Sequence, residues 1–291
     1  TLVEVLIALS LLAVLMLPRQ FQIMVVENVH EHHLRRASWV FPAYLLAINV
    51  FVLPIALGGL LYFTGQDANP DNFVLSLPLA AGQQALALFV FIGGLSAATG
   101  MVIESIAVSI MVSNELVLPL LLRWRAVLGE GMADLTRILL NIRRVTILLL
   151  LLFGYAYFHI ASEAYALVSI GLISFAAVAQ FAPAALIGMY WRAGTRLGGL
   201  GGLSAGFGIW VYTLMLPSIA KSGWMGDAFV RDGPGGIGWL KPEALFGLTG
   251  LDALTHSLFW SLLLNVSVYV ALSLAREPSA RETSQALIFV D

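Results

Sequence analysis

Long apolar tracts separated by short polar loops dominate this chain of 291 residues. A helix needs about 20 apolar residues to cross roughly 30 Å of hydrocarbon. Seven stretches meet that demand, near residues 3–26, 38–63, 83–121, 143–160, 165–190, 197–219 and 253–275. They are continuously apolar rather than alternating in tracts of about ten residues, which predicts helices and argues against a β-barrel. The third stretch is too long for one simple crossing, so a tilted or extended helix ending near Pro119 is expected. The pattern therefore predicts an all-α membrane protein.

Composition agrees: 59% of residues are hydrophobic and 11% charged, against a globular norm of about 25% charged. Charge then adds orientation. Of the fifteen Lys and Arg residues, twelve fall on one side of an alternating seven-span topology: Arg19, Arg35, Arg36, Arg123, Arg125, Arg137, Arg143, Arg144, Arg192, Arg196, Arg276 and Arg281. Lys221, Arg231 and Lys241 fall on the other, all in one long loop. The positive-inside bias predicts an external N-terminus and a cytoplasmic tail. An external start inside an apolar run predicts missing upstream residues, and the tail AREPSARETSQALIFVD reads as a linker entering another domain. The expected boundaries are a partial transmembrane domain over 1–276 and the start of a cytoplasmic linker over 277–291.

The absence of cysteine removes disulfide and thiolate chemistry. His30, His32 and His33 share one loop but lack the i, i+4 pairing of a helical metal site, so a solvated loop and no metal are expected. No phosphate loop fits the Gly-rich stretch WRAGTRLGGLGGLSAGFGIW, because no strand precedes it and no Gly-Lys-Ser/Thr ending follows. Close helix packing is the simple reading of its small residues.

Three features inside the apolar tracts carry possible chemistry. Pro18, Arg19 and Gln20 interrupt the first tract after nearly a full span. Two readings stand: a broken helix of the transporter kind, or a helix reaching the interface with Arg19 extended to phosphate. The third tract holds Ser105, Ser109 and Ser113 on one face and Ser96 with Thr99 on another. Bonding to the preceding turn is the simple expectation for each hydroxyl taken singly. Glu104 lies in the same tract, where an ionisable group is costly to insert; it is expected to face a bundle interior, either as a proton relay or as a buried, hydrogen-bonded acid.

The stretch QFAPAALIGMYWRAGTRLGGLGGLSAG resembles the sodium:solute symporters through Phe181, Pro183, Trp191, Thr195, Gly198 and Gly202. GGLSAATGMVIESIAVSIMVSNEL resembles that family's second sodium-site helix, and LPRQFQIMVVEN its substrate-side broken helix. LPRQFQIMVVENV and PEALFGLTGLDALTHSLFWSLLLN further resemble the subgroup in which a symporter-like membrane domain feeds a sensor histidine kinase. The resemblance implies a partial inverted-repeat (LeuT-like) transporter fold of about seven transmembrane helices, comprising a second five-helix repeat and two extra helices. The first repeat and the kinase domains would lie outside this chain, in which no catalytic motif is present.

By the same resemblance, Arg19, Gln20 and Phe21 fall at substrate-side positions, and Ser96 and Thr99 at or near ion-binding positions. Gly100 stands where the family has a second hydroxyl, which weakens sodium coupling and raises interest in Glu104 as a proton-coupling group. The implied function is ion-coupled binding and translocation of a small solute, with an amino acid favoured, as input to a sensor kinase. A stand-alone symporter and a sensory-only module are the alternatives. The coupling ion would be Na+ or H+, with no other cofactor, no nucleic acid partner, and a bacterial inner-membrane location. A pilin-like reading of the opening TLVEV is opposed by the six apolar stretches that follow it.

Overall fold

A computed structural model of the chain describes residues 2–66, 68–128, 135–161, 167–221, 223, 225–226 and 228–287, and every regular element among these residues is helical. In chain order the α-helices are α1 (Leu2–Met16), α2 (Pro18–Phe21), α3 (Glu31–Tyr62), α4 (Phe73–Ala80), α5 (Gln84–Met111), α6 (Leu118–Leu128) and α7 (Leu135–Ala161). They continue as α8 (Leu167–Val178), α9 (Gly188–Tyr190), α10 (Arg196–Trp210), α11 (Leu216–Lys221), α12 (Ala228–Asp232), α13 (Ala253–Leu274) and α14 (Ala280–Ala286). Wider π turns join several of them, at Gln22–Val26, Val112–Val117, Pro183–Ile187 and Val211–Met215.

Six helical runs among the described residues are long and apolar enough to cross a membrane: Glu31–Tyr62, Gln84–Arg123, Arg137–His159, Ser169–Tyr190, Arg196–Lys221 and Ala253–Leu274. The first expected span differs. Helix α1 holds only 15 residues, about 22 Å at 1.5 Å per residue, and stops short of the hydrocarbon thickness. Its last backbone bond runs from the Leu17 N–H to the Ala13 carbonyl. Pro18 has no N–H to continue the ladder, yet its fixed φ suits the first position of α2.

The third span corrects an expectation. The helix does not end near Pro119 but runs on through Leu128. Pro119 cannot donate to the carbonyl four residues back. The π turn just before it changes the register, with the Leu118 N–H reaching back to Ser113, and so the helix passes the proline without a break.

The chain divides into two compact units, one made of Thr1–Leu17 with Tyr157–Asp291, the other of Pro18–Ala156. This division by contact differs from the sequence boundary at residue 276, because α14 packs with the first unit. In that unit Leu9 of α1, Ala176 of α8, Ala179, Leu214 and Leu258 form an apolar core, flanked by Val5, Leu12, Ile173 and Trp210. In the other unit, α3 packs on α4, α4 on α5, and α2 on α5. A Cβ at Gly59 would lie 2.0 Å from the Phe73 ring, so that glycine sets the approach of α3 to α4. Burial is uneven: 33% of the α13 span is buried within the chain, against 0% of the α3 span. The well-packed core therefore sits in the first unit, while the second presents apolar surface to its surroundings.

Candidate functional site

Local chemistry shapes the interrupted first segment. After α2, the π turn Gln22–Val26 ends where the Glu27 N–H bonds to the Gln22 carbonyl, 2.9 Å away. The buried Gln22 side chain donates from Nε2 to Glu27 Oε1 at 3.2 Å. Short α2 thus carries Gln20 and the half-exposed Phe21 onto α5, while the Arg19 side chain lies outside the described residues.

On α5 the hydroxyls divide by face. Ser105 and Ser109 are buried and donate to the Met101 and Ile106 carbonyls, at 2.8 and 2.7 Å. Ser113 is fully buried, with no hydrogen-bond partner for Oγ among the described residues. Thr99 Oγ1 donates to the Ser96 carbonyl at 2.5 Å, so the two residues named for ion binding are joined through one turn of helix. Ser96, Thr99 and Glu104 all lie on the exposed side of α5 rather than among the buried serines. A groove of about 580 Å³ between α4 and α5 is lined by Asp71, Asn72, Phe91, Gly93, Gly94 and Leu95, ending one residue before Ser96. The structure therefore brings α2 against the hydroxyl-bearing helix, while Ser96 and Thr99 are not among the residues that line the groove. The three histidine rings lie within 5.6 Å of one another, but no metal-holding group of His, Cys, Asp and Glu occurs among the described residues.

The first unit holds a second polar arrangement. Ser257, Ser261, Asn265, Tyr269 and Ser273 recur every fourth residue along α13, and all five are buried. Facing them, Gly198, Gly202 and Gly206 recur every fourth residue along α10. The helices run antiparallel: Gly198 meets Tyr269 and Ser273, Gly202 meets Asn265 and Tyr269, and Gly206 meets Asn265 and Gln180. Missing side chains on one helix make room for polar ones on the other.

Buried polar groups in a bilayer need internal partners, and most of these have them. Gln180 Nε2 donates to Ser261 Oγ at 2.8 Å and to the Ala176 carbonyl at 3.2 Å. Asn265 Nδ2 donates to the Gln180 carbonyl at 2.8 Å and to Gln180 Oε1 at 3.2 Å. Thr213 donates to Ser257 Oγ at 2.8 Å, and His256 Nε2 accepts the Leu245 N–H at 3.0 Å. Thr195 caps α10 by accepting the Gly198 N–H, while its own N–H donates to Ser273 Oγ. Of the other residues that carried the symporter resemblance here, Trp191 makes a T-shaped contact with Tyr269, Phe181 makes one with Phe207, and Pro183 opens a π turn.

Helix α14 closes the same end of the unit. Ser279 and Glu282 form a reciprocal cap, and Glu282 Oε1 also accepts the Arg196 N–H at 2.7 Å. Hydrogen bonds from the Ser279 side chain, then from the Arg196 and Ser279 backbone, hold the Glu282 carboxyl down at about 2. It therefore stays ionised throughout the physiological range.

Sequence reasoning missed Gln180 and the full five-residue ladder of α13. The ladder was visible as polar residues at helical spacing in a span otherwise rich in Leu and Val, and Gln180 as a lone amide in an Ala-rich apolar stretch. No family model matches this chain, and no curated protein or solved structure matches it.

Proposed function

We propose that this chain is part of a transporter-like domain in a bacterial inner membrane, with an inverted-repeat (LeuT-like) architecture. It binds a small solute, an amino acid in first place, and moves it by alternating access coupled to Na+ or H+. The tail passes occupancy or flux to a sensor histidine kinase. The observation that carries this reading is the interrupted first segment, in which short α2 packs on the hydroxyl-bearing α5. Interrupted helices free backbone groups that can bind polar solutes at membrane depth. An arginine at position 19 suits a carboxylate, which it can hold in a two-pronged contact. The direct attachment of Glu282 in α14 to the start of α10 favours a tail that follows the membrane domain.

Uptake of radiolabelled amino acids into vesicles containing the full-length protein, with Na+ and proton gradients imposed separately, tests the reading. At least one gradient is expected to drive accumulation. Thr99→Ala should weaken a sodium-driven signal, and Glu104→Gln should abolish a proton-driven one. Uptake indifferent to every gradient and substrate removes transport and leaves sensing alone. A gene that stops soon after Asp291 removes the kinase connection and leaves a symporter.

A further inference from the structure

The end of the first unit where α10 begins and α13 finishes holds a feature that solute transport does not use. Because the two helices are antiparallel, Arg196 at the start of one span and Leu274 at the end of the other mark the same membrane boundary. There α14 folds back, and a groove of about 610 Å³ opens between it and α10. Arg196, Arg276 and Arg281 line it, together with Leu197, Leu200 and Gln285.

Charge in this groove is unbalanced. Its one carboxylate, Glu282, accepts the Arg196 N–H at one oxygen, and the Ser279 N–H and hydroxyl at the other, at 2.7, 2.7 and 2.6 Å. These are backbone and hydroxyl donors rather than guanidinium groups. Among the described residues none of the three guanidinium groups makes a salt bridge within 4 Å, although the Arg276 charge is near enough to help those hydrogen bonds hold the Glu282 carboxyl down. Three cations around one carboxylate that is already hydrogen-bonded leave the groove electropositive. Each guanidinium presents a planar fork of donors that matches phosphate oxygens.

Hydrophobicity selects among phosphate-bearing ligands. Leu197 and Leu200 stand 48% and 53% exposed on α10, immediately beside the arginines. A soluble phosphate would gain nothing from them. A ligand with a phosphate at the interface and acyl chains below it would cover both. We propose that this arginine-lined groove binds an anionic phospholipid, its headgroup phosphate among Arg196, Arg276 and Arg281 and an acyl chain along Leu197 and Leu200. Basic pockets at the ends of membrane helices favour such lipids electrostatically. The groove is built from α10, α14 and the turn between α13 and α14 alone, and the proposal does not depend on a solute-binding role for α2 and α5.

Native mass spectrometry of the full-length protein, released from nanodiscs made of equal parts phosphatidylglycerol and phosphatidylcholine, tests the site. Phosphatidylglycerol should be retained in preference to phosphatidylcholine. Arg276→Gln with Arg281→Gln should reduce that retention about tenfold or more. Arg231→Gln with Lys241→Gln, which removes equal charge from the long loop, should leave it unchanged. Both arginines are exposed and lie beyond the α13 span, and an unchanged melting profile for the variant secures the comparison; should the double variant melt early, Arg281→Gln alone should still lower retention. Equal retention of the two lipids, or retention in the arginine variants matching the parent, overturns the proposal. So does displacement of the bound lipid by millimolar glycerol 3-phosphate, which would identify the site as one for soluble phosphate.

Discussion

Gly202→Ala is expected to lower the stability of this protein by about 1–3 kcal/mol, read as an earlier midpoint in SDS-induced unfolding from mixed micelles. A Cβ at residue 202 would sit 2.6 Å from the Asn265 carbonyl oxygen, 2.8 Å from Tyr269 Cβ and 2.9 Å from Asn265 Oδ1. The nearest of these atoms is helix backbone, so no rotamer change relieves the contact. Helices α10 and α13 must instead move apart, which loosens Gly198 and Gly206 as well. Gly208, on the same helix but off the seam, has nothing within 4 Å of its added Cβ. There alanine should be neutral or stabilising by up to about 1 kcal/mol, through helix propensity alone. Equal midpoints for the two variants would show that α10 and α13 are not packed through this stripe.

Asn265→Leu is expected to cost about 1–3 kcal/mol, because it leaves buried acceptors without donors. Asn265 gives hydrogens to both the backbone and side-chain oxygens of Gln180, and the replacement cannot. Ser261→Ala removes one acceptor from Gln180 Nε2, which keeps its bond to the Ala176 carbonyl. Membrane hydrogen bonds of that replaceable kind average about 0.6 kcal/mol. The ordering of the two variants carries the prediction: Asn265→Leu must unfold well before Ser261→Ala. A reversed order would mean that Gln180 finds other donors and that α13 is held by apolar packing.

The same physics decides how much could be read from the chain alone. Six of the seven expected spans were legible, because 20-residue apolar runs have few alternatives in a bilayer. The stop at Pro18 was legible too, since a missing N–H is a local property. Pro119 has the same missing donor and did not stop its helix; the outcome there depended on a π turn that no local rule supplies. Glu104 shows a further limit. Burial cost predicts an inward carboxylate, whereas the side chain lies on the exposed face of α5, because helical phase fixes Ser105 and Ser109 inward. The glycine stripe was recognised as packing, but its polar complement on α13 was not, since pairing across two helices is a tertiary fact. Arg19 carries the most specific chemical expectation, for a solute carboxylate, and its side chain lies outside the described residues.

Because this chain contains no cysteine, single replacements provide clean probes of the interrupted segment. Gln20→Cys and Phe21→Cys, made in the full-length protein in vesicles, should react with a water-soluble maleimide. Both should be protected by the transported amino acid together with its coupling ion, while Ser261→Cys, inside the α13 seam, should stay unreactive throughout. Labelling at residues 20 and 21 that ignores every amino acid and both gradients would contradict the assignment of this segment to solute binding.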